Sequence, residues 1–149
     1  MMGNLGLIAI LICGCLPTVA FALTDDECRS MWEKADSNQD GVISGAEAEG
    51  YAAALRIAKR QVPENFTQSV FFDNCKTNVF TVPNSDEDAP LSGVNNLTEN
   101  EAKDRVLAAG FTSVSSLILD DEGVWHGTAI RDGRRVKVAI DYKGNVVAD

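Results

Sequence analysis

The feature that most constrains this chain is the spacing of oxygen-bearing side chains between Asp36 and Glu47. With Asp36 as position 1 of a loop, Asp, Asn, Asp, Ser and Glu stand at positions 1, 3, 5, 9 and 12, where ligands are needed, and a glycine stands at position 6. Calcium takes roughly six to eight oxygen ligands in a flexible shell, and a glycine at the sharp turn lets the flanking residues face one ion. The pattern predicts a calcium site with these ligands: Asp36, Asn38, Asp40, the carbonyl of Val42, Ser44 through a water, and bidentate Glu47.

Helical patterns flank this loop on both sides. Thr24 and Glu27 form a T-x-x-E capping box, and apolar residues then recur at helical spacing as far as Ala35. The alanine-rich run 46–60 predicts a second helix directly after the loop.

Residues 25–58 therefore resemble the EF-hand family, because they follow its pattern D-x-[DN]-x-[DN]-G-x₅-E without departure. The resemblance implies a calcium-binding helix–loop–helix in which Ile43, at position 8, is directed into a core. An acidic turn between two helices is the other interpretation, and it leaves Ile43 and Glu47 unexplained.

Residues 59–80 resemble a second hand that has lost its ligands. Counting back from Phe66 at position 8 places Lys59 at position 1, and no charged ligand remains in that frame. EF-hands usually occur in pairs, so the resemblance implies a metal-free second hand whose Phe66 pairs with Ile43. The alternative is a third helix that simply packs on the first two.

The amino-terminal run 1–22 predicts export. Residues 5–22 are uncharged and apolar and end in the sequence AFA, as a secretory signal peptide cleaved after Ala22 would. An uncleaved membrane span and a lipoprotein anchored through Cys15 are the alternatives. The predicted location is the periplasm or the medium, with membrane attachment only if the leader is retained or lipidated.

Two cysteines, Cys28 and Cys75, remain after removal of that leader. A pair of cysteines in an exported chain predicts a disulfide, because such compartments are oxidising. In a pair of hands the first and last helices are neighbours, so the bridge would clamp a small domain. Two separately buried thiols are the alternative.

The remainder of the chain predicts a linker and a second, smaller unit. Residues 81–96 contain two prolines and an acidic cluster without apolar periodicity, as linkers do. In 97–149, a capping box of Thr98 and Glu101 opens a helix that Gly110 ends, and four apolar or alternating runs follow. Glycine-ended turns separate these runs, which predicts an antiparallel meander.

Residues 97–149 resemble the PepSY family. The likeness rests on the helix end AAGF, on DDEGVW, on DGRRVKVAID and on the closing KGNVV. It implies one helix packed on an antiparallel sheet, in a family found in exported proteins and in propeptides of thermolysin-like proteases. It also implies a protease-inhibiting or regulatory role.

Two charged clusters have alternative interpretations. The acidic turn Asp120, Asp121 and Glu122 predicts a solvated turn rather than a second cation site, because three adjacent acids cannot all face one ion. A basic cluster on the last hairpin predicts a solvated sheet face rather than a docking surface for an acidic partner. Its members are Arg131, Arg134, Arg135, Lys137 and Lys143.

The predicted fold is two small domains: an all-α EF-hand pair at 23–80 and an α+β unit at 97–149. The net charge of −9 argues against a nucleic-acid partner. His126 is the only histidine, and no nucleophile elbow, P-loop or dinucleotide motif is present, so no enzyme is predicted.

The predicted function is that of an exported, non-catalytic calcium-binding protein whose carboxyl-terminal module binds or regulates a partner. That partner would be an exported protease or an envelope protein. The alternative is a protease regulator that acts through the PepSY-like unit, with calcium serving only the fold.

Overall fold

The computed structural model describes residues 22–81 and 85–149, so the predicted signal peptide, apart from Ala22, lies outside the described residues. Within these ranges, no helix is long and apolar enough to cross a membrane. Four helices and two small antiparallel sheets make up a mixed α and β fold. The elements are α1 (Asp25–Ala35), β1 (Val42–Ile43), α2 (Gly45–Ile57), β2 (Phe66–Thr67), α3 (Gln68–Cys75), α4 (Glu99–Ala108), β3 (Ile118–Leu119), β4 (Trp125–Arg131), β5 (Arg134–Ile140) and β6 (Val146–Ala148).

The helix ends follow local sequence. The capping boxes predicted at Thr24 and Thr98 are both formed, and each threonine accepts a hydrogen bond from the backbone of the glutamate three residues later. Helix α2 ends three residues before the predicted boundary at residue 60. There the backbone turns left-handed at Lys59 (φ 54°), and the N–H of Arg60 donates to the carbonyl of Leu55 at 2.9 Å, which closes the helix.

The loop between α1 and α2 is tied to the loop between α2 and α3 by a two-residue antiparallel ladder. Ile43 pairs with Phe66 and Val42 pairs with Thr67, so the predicted pairing of Ile43 with Phe66 is confirmed. Ile43 is fully buried, as its predicted core position requires. Because of this ladder, the first unit is helices plus a minimal sheet rather than helices alone.

An aromatic cluster fills the space between the first three helices. The ring of Phe71 is its centre, with centroids 5.5 Å from Trp32, 4.9 Å from Tyr51 and 5.0 Å from Phe80. Most of these contacts are edge-to-face, which suits the aromatic quadrupole. The first unit therefore has a core of its own.

The predicted disulfide is confirmed. Cys28 in α1 is bonded to Cys75 at the end of α3, with a Cα–Cα distance of 5.9 Å, and both residues are completely buried. The bond ties the first helix of the unit to its last. It closes the polypeptide around the entire loop, α2 and the β1–β2 ladder.

The carboxyl-terminal unit is the predicted helix and meander. Strands β3, β4, β5 and β6 form one antiparallel sheet in that order, and α4 packs against β4 and β5. Ala102 and Val106 are the fully buried residues of α4, and they share a second core with inward residues of the strands. Gly110 ends α4 at φ 86°, as predicted.

The two units are in contact along α2 and α4. Gly50 brings the helices together, since a Cβ at this position would lie 3.0 Å from the carbonyl oxygen of Leu107. One turn and a half further along, the guanidinium of Arg56 holds the carboxylate of Asp104 with both Nε and an Nη, at 2.6–2.9 Å. Ala108 of α4 also packs against the core of the first unit.

The described part of the predicted linker, 85–96, has no helix or strand but follows the second unit closely. The hydroxyl of Ser85 donates to the carbonyl of Val146 at 3.0 Å, and the N–H of Gly93 donates to the carbonyl of Glu122 at 2.9 Å. The segment is therefore anchored both to β6 and to the turn between β3 and β4.

Asp141 holds this segment through the N–H of Leu91. Its carboxylate is completely buried and accepts hydrogen bonds from the backbone N–H groups of Leu91, Lys143 and Asn145 and from the Asn145 side chain, at 2.8–3.0 Å. Burial alone would raise the pKa of Asp141, but the hydrogen bonds from Asn145 and the two other donors outweigh it. The pKa therefore lies below its ordinary value of 3.8.

A folded-state pKa below the unfolded one means that Asp141 stabilises the fold above about pH 4, and that this contribution is lost as the pH falls through the folded value. We expect Asp141→Ala to lower the free energy of unfolding by about 3 kcal/mol at neutral pH, because it leaves several buried N–H groups unpaired. It should also flatten the loss of stability in acid. Urea unfolding between pH 3 and pH 7 measures both effects.

Asp121→Ala is the matched control, since Asp121 is an exposed carboxylate in a turn of the same unit. The assignment of acid sensitivity to Asp141 would be wrong if the two variants lost stability equally, or if Asp141→Ala kept the acid slope of the parent.

Candidate metal centre

Five of the six predicted ligands lie between α1 and α2, and the sixth, Glu47, lies in the first turn of α2. Asp36 is the C-cap of α1, and α2 begins at Gly45. The backbone is left-handed at Gln39 (φ 58°) and at Gly41 (φ 81°), which reverses the chain. At Gly41 this conformation is the reason that the pattern needs glycine.

Asp36 is the buried end of the loop. The residue is 7% exposed, and its two carboxylate oxygens accept hydrogen bonds from the N–H groups of Asp40 and Gly41 at 3.1 and 3.0 Å. A carboxylate at position 1 therefore organises the backbone of positions 5 and 6 and keeps its negative charge inside the loop.

Asn38 and Asp40 lie side by side within the same turn. The Asn38 carbonyl oxygen accepts from the N–H of Asp40 at 2.9 Å, and its amide donates to the Asp40 carboxylate at 3.0 Å. The other Asp40 oxygen accepts from the N–H of Val42 at 2.9 Å. The structure thus brings positions 1, 3 and 5 together through the backbone between them.

Glu47 closes the loop from the first turn of α2. Its Oε1 accepts hydrogen bonds from the N–H groups of Ser37 and Asn38 at 3.0 and 3.2 Å, and from the Ser37 hydroxyl. Its other oxygen, Oε2, is buried and has no hydrogen-bond partner. The glutamate at position 12 therefore reaches back to positions 2 and 3, with one oxygen unused.

The remaining two predicted ligands are held by secondary structure. Val42 lies in β1, opposite Thr67, and its position in the ladder is fixed by that pairing. Ser44 is the N-cap residue of α2, yet its side chain makes no capping hydrogen bond. Its hydroxyl is thus not committed to the helix that it precedes.

Ser37 is a contributor that the sequence pattern does not indicate. Position 2 of the loop is variable in the calcium pattern, so the ligand template assigns it no role. Here its N–H and hydroxyl hold Glu47 in place. The one sequence feature that could have indicated this role is the position of Ser37 next to Asp36, where a small hydrogen-bond donor can reach Glu47.

The loop concentrates negative charge. Asp36, Asp40 and Glu47 all lie within twelve residues, and none of them forms an ion pair with a cation in the described ranges. Close like charges repel one another more strongly where burial excludes water. A divalent cation would remove this repulsion.

Among residues 22–81 and 85–149, no three histidine, cysteine, aspartate or glutamate side chains form a metal-binding group by themselves. In the loop the carboxylates accept backbone N–H groups, and half of the predicted ligands are of other kinds: Asn38, the Val42 carbonyl and Ser44. The donor set is all oxygen, as a hard cation such as calcium prefers. The buried Oε2 of Glu47, which lacks a partner, also fits such an ion.

The acidic turn of the second unit has a different arrangement. Asp120 accepts from the N–H groups of Glu122 and Val124 at 3.0 and 2.8 Å, and from the His126 ring at 2.7 Å. The Val124 hydrogen bond is the main cause that keeps the pKa of Asp120 below its ordinary value. Asp121 and Glu122 are exposed, and the three acids of this described turn do not form a group that could hold a metal ion.

The basic cluster is divided by the fold. Arg134, Arg135 and Lys137 are exposed on β5. Arg131, at the end of β4, places its guanidinium 4.6 Å from the centre of the Phe111 ring. Lys143, in the turn before β6, is paired with Asp86 at 3.1 Å.

Comparison of the chain with protein-family models, with curated proteins and with solved structures gives no match.

Proposed function

We propose that the loop 36–47 binds one calcium ion and that the chain is an exported, non-catalytic calcium-binding protein. In this proposal the first unit is an EF-hand-like pair with one competent loop, and the second is a PepSY-like module that binds or regulates a partner. The observation that carries the proposal is the environment of Glu47.

A buried carboxylate oxygen without a hydrogen bond is unfavourable by about 1–3 kcal/mol or more, so native structures seldom leave one unpaired. Oε2 of Glu47 is such an atom, and it belongs to the residue that the calcium pattern assigns as the bidentate ligand. The other oxygen is already held by Ser37 and Asn38, which fixes the carboxylate within the loop. A cation bound at this carboxylate would remove the penalty.

The paired loops support the comparison with EF-hands. Ile43 at position 8 pairs with Phe66, the residue that stands at position 8 of the degenerate second frame. Such a ladder joins two loops back to back, so the second hand supports the first without binding an ion itself.

The first unit is suited to a structural ion rather than to a switch. Sensor hands respond to calcium by opening a groove between helices. Here the space between the helices is filled by rings packed around Phe71, and the Cys28–Cys75 bond fixes α1 to α3. Opening would have to separate this core while preserving that bond.

Export is supported by the disulfide, since such bonds persist in oxidising compartments and are rare elsewhere. Outside the cell membrane calcium is abundant, so a modest affinity suffices. With three carboxylates in the loop, we expect a dissociation constant of about 10–1000 μM.

The test is calorimetric titration of residues 23–149 with calcium. We expect one bound ion, and a loss of affinity of about tenfold or more in Glu47→Gln, because the amide removes the charge and one of the two oxygen ligands. Glu49→Gln is the matched control, since Glu49 is exposed on the same turn of α2. It should bind calcium as the parent does.

Two outcomes would reject calcium binding at this loop. One is the absence of calcium uptake by the parent protein at millimolar concentration. The other is uptake that survives Glu47→Gln unchanged, which would place the ion elsewhere.

A further inference from the structure

A cleft of about 440 Å³ lies where the two units meet, on the side of α2 and α4 that faces the last hairpin. Its volume is within the range of small-molecule sites, which is about 300–1000 Å³. Ala54, Ile57 and Ala58 at the end of α2 line one part of the cleft, and Ala108 and Phe111 line another. These side chains give the cleft an apolar surface.

Three cationic side chains line the same cleft, each from a different element. Arg105 comes from α4, Arg131 from the end of β4, and Lys143 from the turn between β5 and β6. This is unusual in a chain with a net charge of −9. Among the residues that the structure describes, no acidic one lines it.

Packing contacts position the two arginines. The Arg131 guanidinium stacks on the ring of Phe111, with 4.6 Å from its carbon to the ring centre. Arg105 lies against Gly144, where a Cβ would come within 3.0 Å of its Nε, so the glycine provides the space. Neither arginine forms an ion pair with an acid in the described ranges, whereas Lys143 is paired with Asp86.

We propose that this cleft binds a small organic anion with an apolar body, such as an aliphatic or aromatic carboxylate. The anionic head would be held by Arg105 and Arg131, and the body would lie on the alanine-rich wall from α2. Guanidinium groups suit this role because they are weakly hydrated and can donate two parallel hydrogen bonds to a carboxylate.

The cleft does not suit a bare inorganic anion or a neutral oil. An inorganic anion would leave the apolar wall in contact with water, and a neutral oil would bury two guanidiniums without a counter-charge, which is costly. The combination of charge and apolar surface therefore sets the ligand class. This proposal is independent of the calcium loop.

The test is a fluorescence titration of residues 23–149 with 8-anilinonaphthalene-1-sulfonate, an anionic aromatic dye. We expect saturable binding to one site, displaced by octanoate but not by inorganic phosphate or 1-octanol. The neutral dye N-phenyl-1-naphthylamine should bind more weakly. The titration is repeated with calcium and with chelator, so that its outcome is read separately from that of the metal loop.

Arg105→Gln/Arg131→Gln should weaken dye binding by about tenfold or more, since two charge-assisted contacts are lost. Arg135→Gln/Lys137→Gln is the matched control, because it removes the same charge from two exposed residues of β5 on the face opposite to buried Val138 and Ile140. That variant should stay within about twofold of the parent.

A second variant, Ala58→Phe, fills the apolar end of the cleft and leaves every charge in place; it too should weaken the dye. If the double arginine variant does not fold, Ala58→Phe alone tests whether the dye binds in the cleft. The proposal is overturned if both cleft variants bind the dye as the parent does, if the control loses as much affinity, or if octanoate fails to compete.

Discussion

Reduction of the Cys28–Cys75 disulfide is expected to lower the free energy of unfolding by about 4 kcal/mol. The bond joins residues that are 47 apart in sequence, and closing a loop of that length removes a corresponding amount of entropy from the unfolded chain. The loss is large for a domain of this size, because typical stabilities are about 5–15 kcal/mol. Urea unfolding of oxidised and reduced protein measures it without changing any side-chain volume.

Residues 23–149 contain no other cysteine, so the reductant acts on this bond alone. Cys28→Ala/Cys75→Ala provides the control, since its stability should not respond to the reductant. Oxidised and reduced proteins that differ by less than about 1 kcal/mol would show that the bond constrains little of the unfolded chain.

Phe71→Ala is expected to destabilise the protein by about 3–5 kcal/mol, through lost burial and the cavity that it leaves. Phe71 is completely buried and contacts the rings of Trp32, Tyr51 and Phe80, so neighbouring side chains cannot close the gap without giving up their own contacts. Thermal and urea unfolding both measure the effect.

Phe72→Ala is the comparison, because Phe72 is the next residue of α3 and is only half-buried. It removes the same number of atoms from a position that solvent reaches, and should cost less than half as much. Equal losses at the two positions would contradict a cluster centred on Phe71.

Local sequence patterns predicted the parts of the fold that depend on neighbours in the chain. The capping threonines and the left-handed glycine that ends α4 follow from short-range rules and are present. The pairing of Ile43 with Phe66 was predicted from the resemblance to paired hands, and it too is present. The disulfide followed from the count of cysteines. The predicted end of α2 was three residues too late, because Lys59 adopts a left-handed conformation that lysine seldom takes.

The contacts that no local pattern predicts are those between distant segments. Arg56 and Asp104 are 48 residues apart, and each is an ordinary surface residue of its own helix until the two helices cross. Arg105 and Arg131 come to the same cleft from a helix and a strand. In the candidate site, the calcium-binding pattern predicted Glu47 as a ligand. It did not predict the hydrogen bonds from Ser37 to Glu47, because the pattern describes contacts between residues and the ion and not contacts among the residues.

Helix α2 has a further consequence. Its first turn carries Glu47, and its middle touches α4 at Gly50. Its last turns carry Arg56 and two residues of the cleft, Ala54 and Ile57. If either unit unfolded, α2 would lose the packing contacts that it makes with that unit. Although the chain has two cores, we expect them to unfold together, in a single cooperative step.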